Sequence, residues 1–355
     1  MTSDRPQPPA NRGVPQNPPN RFIRLELEPD PDWYDPEERP VTTQFYRDDS
    51  RSILSTNDSP DIPFNFSLNP YRGCEHGCVY CYARPTHEYL GFSAGLDFES
   101  RILVKEHAPE LLWEALRSPR WHPEPIALSG VTDPYQPVER KLRLTRRCLE
   151  VLLEFRNPVT VVTKNQLITR DVDLLNGLAR HHAVAVMISL TTLDPSLRRV
   201  MEPRTSPPPA RLTTVRFLAE AGIPVGILMS PVIPGLTDHE MPKLLAAAAA
   251  AGAQWAGYVP LRLPLGVEPI FVEWLSRYYP QRQEKILNRL RELRGGRLND
   301  PQFGDRMTGT GQLAAQLNQL FQVSCRRAGL ATEGPTLSVA AFCSPVRHAQ
   351  LELFD

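Results

Sequence analysis

The sequence has no net charge, because 40 Lys and Arg residues balance 40 Asp and Glu residues over 355 positions. This balance argues against a protein that binds nucleic acid mainly through bulk charge, and leaves only a local basic face open. A long hydrophobic run is also missing, since the longest weakly polar segment, residues 244–253, is far too short to span a bilayer. The N-terminal segment contains no apolar h-region, so we expect no signal peptide, no membrane partner and a cytoplasmic protein.

Cysteine is scarce and unevenly placed, with six residues in the whole chain. Cys74, Cys78 and Cys81 share the spacing C-x3-C-x2-C, whereas the others are isolated at Cys148, Cys325 and Cys343. This arrangement does not look like a secreted disulfide framework. A closed zinc site and an ordinary iron–sulfur carrier each use four protein ligands, so three thiolates leave one coordination position open. We therefore expect a metal centre whose remaining ligand is a substrate or cosubstrate.

The chain divides into four predicted segments. Residues 1–45 are rich in proline and are predicted to form a disordered arm, residues 46–265 the core, residues 266–330 a helical extension and residues 331–355 a tail. Short apolar runs in the core predict buried strands at residues 64–71, 125–133, 158–165, 183–190, 223–232 and 253–261. Amphipathic stretches alternate with these runs, which predicts an α/β fold with a partial (β/α)6 TIM-like barrel. In such folds ligands gather at the carboxyl ends of the strands.

The cysteine loop resembles the signature of the radical S-adenosylmethionine (radical SAM) superfamily, C-x3-C-x-aromatic-C, which Cys74, Cys78, Tyr80 and Cys81 match. The resemblance implies that the cysteines bind a 4Fe–4S cluster and that Tyr80 belongs to the cofactor site. It also implies that S-adenosylmethionine (SAM) chelates the open iron, and that reductive cleavage of SAM yields a 5′-deoxyadenosyl radical that abstracts hydrogen. An electron donor such as flavodoxin or ferredoxin is an implied partner. The alternatives are a structural zinc loop and a carrier cluster.

The same resemblance implies SAM contacts at the strand ends. Thr132 and Asp133 follow the second strand and resemble the polar pair that receives the SAM amino group, since an ammonium needs acceptors. The later strand ends supply Lys164 and Asn165 for the carboxylate or ribose, Ser189 for a ribose hydroxyl, and Pro231 in the edge that packs on adenine. Arg204 is a candidate carboxylate clamp, or equally an ion-pair partner of Glu202. For each strand-end residue, a turn-forming role is the alternative.

The sequence resembles that of the radical SAM proteins related to spore photoproduct lyase, a group described as DNA-repair-photolyase-like. The resemblance runs from "SRSIL" through "NPYRGCEHGCVYCYARP" to "SGVTDPYQPVE". These lyases reverse a thymine photodimer and carry a hydrogen-donating cysteine in the loop after the second strand. Residues 129–134 of this sequence contain no cysteine. We therefore expect a radical SAM enzyme that repairs or modifies nucleic acid, with no catalytic residue identified. The alternatives are a protein or small-molecule substrate, or a non-catalytic iron–sulfur or zinc module.

The C-terminal residues contain a short motif of their own. Gln350, Leu351, Leu353 and Phe354 belong to the sequence QLELF, which resembles the peptide that docks bacterial DNA-repair and replication proteins on the sliding clamp. A short extended tail can offer Leu353 and Phe354 to an apolar pocket, and Gln350 adds a polar contact. The alternative is that these side chains pack on the protein's own surface.

Overall fold

The computed structural model of the protein describes residues 9, 11–18, 21 and 42–344. Ten strands within these residues form two sheets. The strands are β1 (Gln44–Arg47), β2 (Leu54–Thr56), β3 (Phe66–Leu68), β4 (Tyr71–Arg72), β5 (Arg101–Val104), β6 (Ile126–Leu128), β7 (Val159–Thr163), β8 (Val184–Ser189), β9 (Val225–Val232) and β10 (Trp255–Pro260). The α-helices are α1 (Leu96–Ser100), α2 (Ala108–Arg117), α3 (Glu139–Leu142), α4 (Leu144–Phe155), α5 (Val172–Ala179), α6 (Pro195–Met201), α7 (Pro208–Glu220), α8 (Met241–Ala250), α9 (Val267–Tyr278), α10 (Gln283–Leu293), α11 (Asp305–Thr308) and α12 (Gly311–Ala328). Short 3-10 helices span Arg84–Leu90, Gln166–Asp171 and Asp238–Glu240.

The larger sheet carries the barrel. Its seven strands follow the order β10-β9-β8-β7-β6-β3-β2. The edge strand β2 runs antiparallel to β3, and every other neighbouring pair in this sheet is parallel. The parallel strands coincide with the apolar runs identified in the sequence, and helices α4, α5, α7 and α8 lie in the connections between β6 and β10. The predicted α/β partial barrel is therefore confirmed.

The core explains why the strands are so apolar. Val184, Val186 and Ile188 of β8 are almost fully buried, and Leu149 and Leu152 of α4 are buried as well. A parallel strand whose two faces are both covered reads as a continuous apolar run instead of an alternating one. The parallel arrangement also brings the carboxyl ends of the strands to a single edge of the sheet, where the candidate residues lie.

The C-terminal region is helical, as predicted, through α9, α10, α11 and α12. The chain then returns to the sheet, because the amide of Ala256 donates to the carbonyl of Ala331 at 2.9 Å. Further along, the rings of Phe342 and Phe155 pack with their centroids 6.1 Å apart. The part of the predicted tail that the structure describes thus lies on the body. The residues of the clamp-like motif, Gln350, Leu351, Leu353 and Phe354, lie outside the described residues.

Part of the predicted disordered arm also lies against the body. Arg12 and Val14 are buried, with 7% and 2% of their surface exposed. Asn17 and Asp97 exchange two hydrogen bonds, at 3.0 and 2.9 Å. Further on, β1 pairs with β5 in the smaller sheet, whose order is β1-β5-β4. None of the helices in the described ranges has the length and apolar character needed to cross a bilayer.

Candidate active site

The three clustered cysteines lie on the loop that follows β4. Their side chains are free thiols, and Cys74 and Cys78 are buried. The loop turns at Gly77, whose φ of 65° favours glycine. The amide of Cys74 donates to the carbonyl of Phe98 at 2.8 Å, which fixes the start of the loop. Burial raises the pKa of all three thiols, including Cys81, so metal binding here would displace protons.

A buried ion pair supports the loop from behind. The guanidinium of Arg84 donates to the carbonyl of Cys78 at 3.0 Å and to the carbonyl of Gly95 at 2.9 Å. It also pairs with Glu99 at 2.5 Å, and both side chains of the pair are fully buried. Removing either charge would leave the other unpaired in the interior, which is strongly unfavourable. Arg84 and Glu99 therefore hold the backbone of the cysteine loop in place, although sequence patterns gave no sign of it.

Residues of the N-terminal arm close the same side of the loop. The amide of Gly13 donates to the Glu99 carboxylate at 2.9 Å, and Arg12 donates to the Glu99 carbonyl at 2.6 Å. A Cβ atom on Gly13 would lie only 2.0 Å from the carbonyl oxygen of Gly77. The approach of Gly13 to the loop thus requires glycine for its size rather than for its backbone conformation.

Replacing Gly13 with alanine is expected to displace the cysteine loop, because the added methyl group would collide with the carbonyl of Gly77. Overpacking of this kind costs about 1–3 kcal/mol. We expect the variant to retain less iron and sulfide than the wild type after anaerobic reconstitution. Gly222→Ala is the control: its φ of +75° strains an added side chain, so the variant is also destabilised, but it has nothing within 4 Å and lies beyond the end of α7, and its iron content should not change. Equal iron content in the Gly13→Ala variant and the wild type would contradict this contact.

Arg204 forms an ion pair with a residue of the cysteine loop. Its guanidinium pairs with the buried carboxylate of Glu75 at 2.9 Å. The ion pair with Glu202 considered from the sequence does not form, since the carboxylate of Glu202 pairs with Arg211 instead. The other oxygen of Glu75 accepts a hydrogen bond from the amide of Val138 at 2.7 Å. Arg204 therefore ties the cysteine loop to its surroundings, and any role as a carboxylate clamp stays a prediction.

Asp133 lies among the strand ends and is surrounded by donors from the chain. Its carboxylate accepts hydrogen bonds from the hydroxyl of Thr163 at 2.7 Å and from the amides of Lys164 at 2.7 Å and Tyr135 at 2.9 Å. The Nδ1 atom of His76 lies 3.3 Å away. Burial alone would raise the pKa of Asp133, but His76 and these donors lower it to about 2. Asp133 is thus anionic at neutral pH and joins the cysteine loop to the ends of β6 and β7.

Thr132 differs from its neighbour. Its hydroxyl oxygen is buried and has no hydrogen-bond partner among the described residues. A buried hydroxyl without a partner is unfavourable unless a ligand or water satisfies it. This atom fits the acceptor predicted for the SAM amino group better than the occupied carboxylate of Asp133 does.

Lys164, Ser189 and Tyr80 meet at the ends of the next strands. The ammonium of Lys164 donates to the hydroxyl of Ser189 at 2.6 Å and lies 3.5 Å from the carbonyl of Ser230. It also lies 5.8 Å from the centre of the Tyr80 ring, a cation–π distance. Pro231 follows Ser230 in β9, so the predicted adenine edge adjoins this group. The structure therefore brings four of the predicted cofactor residues together beside the cysteine loop.

The side chain of Asn165 has its polar partners within the protein. Its side-chain oxygen accepts from the amide of Leu167 at 3.0 Å and caps the 3-10 helix Gln166–Asp171. Its nitrogen lies 3.2 Å from the Nε2 atom of His76. The first contact supports the turn-forming alternative for Asn165, and the second joins it to the cysteine loop, whereas the SAM contact stays a prediction.

A buried network behind Tyr80 was missed by the sequence analysis. The hydroxyl of Tyr80 donates to the carboxylate of Glu202, which also accepts from Thr191 at 2.8 Å and pairs with Arg211. Arg211 donates in addition to the carbonyl of Ser189 at 2.9 Å. Burial alone would raise the pKa of Glu202, but Arg211 and the neighbouring Lys164 lower it to about 2. This anchored carboxylate orients both Tyr80 and the end of β8.

The donor set fits an iron–sulfur cluster better than a single ion. Among the residues that the structure describes, no group of three or more His, Cys, Asp and Glu side chains is placed to hold one metal ion. Each iron of a 4Fe–4S cluster takes its own ligand, so its thiolates need not converge on one point. Three free thiols on one loop match the ligands of such a cluster. The unsatisfied hydroxyl of Thr132 leaves a hydrogen-bonding group for a chelating cosubstrate.

Comparison with known proteins identifies the family. A model of the radical SAM superfamily matches residues 68–248, just over half of the chain, so the chain belongs to the radical SAM superfamily. Members of this superfamily bind a 4Fe–4S cluster and SAM, and the predictions of family, enzyme and cofactors are thereby confirmed. A protein of Mycobacterium tuberculosis H37Rv is 38% identical over 234 residues, which cover 65% of this chain and 68% of the relative. A Methanocaldococcus jannaschii protein is 29% identical over 175 residues, which cover 49% of this chain and 63% of the relative.

Comparison with solved structures shows which known fold the chain shares. Spore photoproduct lyase complexed with dinucleoside spore photoproduct superposes with a TM-score of 0.57 and 15% identity, covering 81% of both chains. A variant of the same lyase with bound AdoMet and dinucleoside spore photoproduct gives a TM-score of 0.56 and 15% identity, covering 81% of this chain and 80% of that one. The chain is therefore a radical SAM enzyme with the fold of spore photoproduct lyase.

Proposed function

We propose that the protein cleaves SAM reductively and acts on nucleic acid. The observation that carries this proposal is the extent of the likeness to spore photoproduct lyase. It covers 81% of the chain, whereas the superfamily model matches only residues 68–248. The likeness thus reaches beyond the residues that the superfamily model matches, and the solved lyase complex contains a dinucleoside. The bound cluster and SAM supply the radical chemistry.

The reaction itself differs from dimer reversal by the lyase. The loop after β6, residues 129–134, contains no cysteine, so the chain lacks that lyase's hydrogen donor. We therefore favour a modification or a different repair reaction over thymine-dimer reversal. A protein or small-molecule substrate is the second candidate, because the same cofactors serve such substrates in other radical SAM enzymes.

The test is SAM cleavage by the anaerobically reconstituted protein. Dithionite takes the place of the natural electron donor, for which we propose a flavodoxin or ferredoxin. We expect 5′-deoxyadenosine to form faster with single-stranded DNA, duplex DNA or RNA than with no addition or with a peptide. No formation of 5′-deoxyadenosine under any condition would remove the enzymatic proposal. Formation that no nucleic acid accelerates would remove the proposed substrate class alone.

Within the cofactor site we propose that Lys164 and Ser189 bind the SAM carboxylate and ribose. Replacing Ser189 with alanine or Lys164 with methionine should weaken SAM binding by about 1–3 kcal/mol each, while iron content stays unchanged. Equilibrium binding of SAM to the reconstituted variants measures this. Ser196→Ala is the matched control, because Ser196 is exposed at the start of α6. Wild-type SAM affinity in both site variants would show that the pocket lies elsewhere.

We further propose that the C-terminal residues Gln350, Leu351, Leu353 and Phe354 bind a sliding clamp. The support is the sequence motif alone, since these residues lie outside the described ranges. A peptide of residues 344–355 should bind a bacterial sliding clamp with micromolar affinity, and changing Leu353 and Phe354 to alanine should abolish binding. Equal binding by both peptides, or no binding at millimolar concentration, would remove the clamp as a partner.

A further inference from the structure

An arginine with few partners lies beside the cysteine loop. Arg262 is the second residue after β10, so it stands at the same edge of the sheet as Lys164 and Ser189. Its guanidinium lies 5.7 Å from the centre of the Tyr82 ring. Tyr82 directly follows Cys81, exposes 51% of its surface, and donates its hydroxyl to the carbonyl of Gly130 after β6. Arg262 and Tyr82 thus lie together beside the cysteine loop, at the edge of the candidate active site.

The contacts of Arg262 are poor for a charged group. Its Nη1 atom donates to the thioether sulfur of Met307 at 3.1 Å, and thioethers are weak acceptors. Its Nε atom is buried with no hydrogen-bond partner, and Arg262 forms no ion pair within the described ranges. Burial and the neighbouring Arg306 lower the pKa of Arg262. A partly desolvated guanidinium without a carboxylate is costly unless an anion joins it.

The surrounding charges do not supply that anion. Arg306 takes the nearby carboxylate of Asp61 at 2.6 Å. Buried Arg294 donates to the carbonyls of Asp305, Arg306, Pro260 and Leu261 rather than to a carboxylate. Burial and the proximity of Arg262 lower the pKa of Arg294 to about 10. Of these three neighbouring guanidiniums, Arg306 alone forms an ion pair within the described residues, whereas Asp300 and Asp305 act on Arg294 without pairing with it. Arg262 therefore keeps a guanidinium that no carboxylate in the described part of the chain contacts directly.

Exposed aromatic rings accompany these arginines. Phe303 exposes 56% of its surface, and the guanidinium of Arg306 lies 4.5 Å from the centre of its ring. Tyr82 and Arg262 repeat the same pairing next to the cysteine loop. Proteins that hold single-stranded nucleic acid combine basic groups for the backbone with aromatic rings on which bases stack. The unpaired guanidinium of Arg262 and the half-exposed ring of Tyr82 offer one contact of each kind.

We propose that Arg262 binds a phosphate of the nucleic-acid substrate and that Tyr82 stacks on the adjoining base. This inference rests on the proposed function and names the residues that would hold the substrate beside the cofactors. The same guanidinium chemistry would also suit the carboxylate of SAM. The two sources of the anion are separated by experiment, because only one of them makes oligonucleotide binding depend on Arg262.

The experiment measures binding of a labelled single-stranded deoxyoligonucleotide to the reconstituted holoenzyme over a series of salt concentrations. Arg262→Gln should weaken binding about tenfold and reduce the slope of log K against log salt by about one. Arg297→Gln removes the same charge from an exposed residue of the C-terminal region and should change neither quantity. Tyr82→Leu should abolish the preference for an intact oligonucleotide over one with an abasic position. Iron content of each variant verifies that the cysteine loop is intact.

The outcomes are distinct. An unchanged slope in Arg262→Gln, with SAM affinity lost, would assign the anion to the SAM carboxylate and overturn the proposal. Equal losses in Arg262→Gln and Arg297→Gln would also overturn it, because binding would then follow bulk charge. Absence of oligonucleotide binding by the wild type at low salt would instead remove the proposed nucleic-acid substrate, whatever the variants do.

Discussion

Changing any one of Cys74, Cys78 and Cys81 to alanine should abolish the iron–sulfur cluster. The wild type is expected to hold about four iron and four sulfide per chain after anaerobic reconstitution. With three thiols on the loop, each substitution removes one of the three predicted attachments of the cluster. The loop itself should persist, because Arg84 and Glu99 hold its backbone independently of the metal. Iron and sulfide analysis, with the absorption spectrum, measures the loss.

The remaining cysteines are the matched controls for this experiment. Cys148 and Cys325 are buried in the hydrophobic core, and Cys343 contacts the carbonyl of Glu154 on the outer side of α4. Their replacement by alanine removes a small apolar group but no ligand, so the variants should keep the full iron content. Loss of the cluster in any of these three variants would contradict the assignment of a three-thiolate site.

Replacing Arg211 with methionine should destabilise the fold severely. Glu202 is fully buried, and Arg211 is its ion-pair partner. Removal of one member of a buried pair leaves an uncompensated charge and costs about 3–5 kcal/mol. Urea denaturation of the cluster-free protein measures the effect. Arg147→Met is the control, because the pair of Arg147 and Glu110 is largely exposed and should contribute less than about 1 kcal/mol.

Two further measurements show that Glu202 is the cause. The double variant Glu202→Gln with Arg211→Met should recover part of the lost stability, since it removes the stranded charge. The folded-state pKa of Glu202 is about 2, below its ordinary value of 4.5, so this carboxylate stabilises the fold above about pH 4.5. That contribution disappears as the pH falls through 2 in the wild type, and it is absent throughout in Glu202→Gln. If Arg211→Met were no less stable than Arg147→Met, the buried network would be misassigned.

The features predictable from the sequence are those written in short, contiguous stretches. Each parallel strand is an apolar run because both its faces are buried, and the cysteine spacing lies within one loop. These local patterns sufficed for the α/β barrel and for the grouping of three cysteines on one loop. The proximity of Lys164 and Ser189 could be predicted as well, since parallel strands bring their carboxyl ends to one edge.

The contacts that the sequence did not reveal join residues far apart in the chain. The sequence suggests Glu202, two positions away, as an ion-pair partner of Arg204, but the carboxylate partner of Arg204 is Glu75, 129 positions earlier. Donors from β7 and the cysteine loop contact the oxygens of Asp133, which the sequence does not indicate, and its predicted contact with SAM stays a prediction. Periodicity relates residues of one helix or strand, so it does not indicate which distant side chains share a pocket.

The contact between Gly13 and Glu99 has a consequence for the order of synthesis. The two residues are 86 positions apart, and all three cluster cysteines lie between them. Because the ribosome releases the N-terminal part first, the thiols emerge before the carboxylate that anchors Gly13 has been made. Arg84, too, must wait for Glu99 before its charge is paired. The nascent chain therefore exposes its three clustered thiols on a loop that still lacks the buried ion pair behind it, and this pair can form only when translation has passed residue 99.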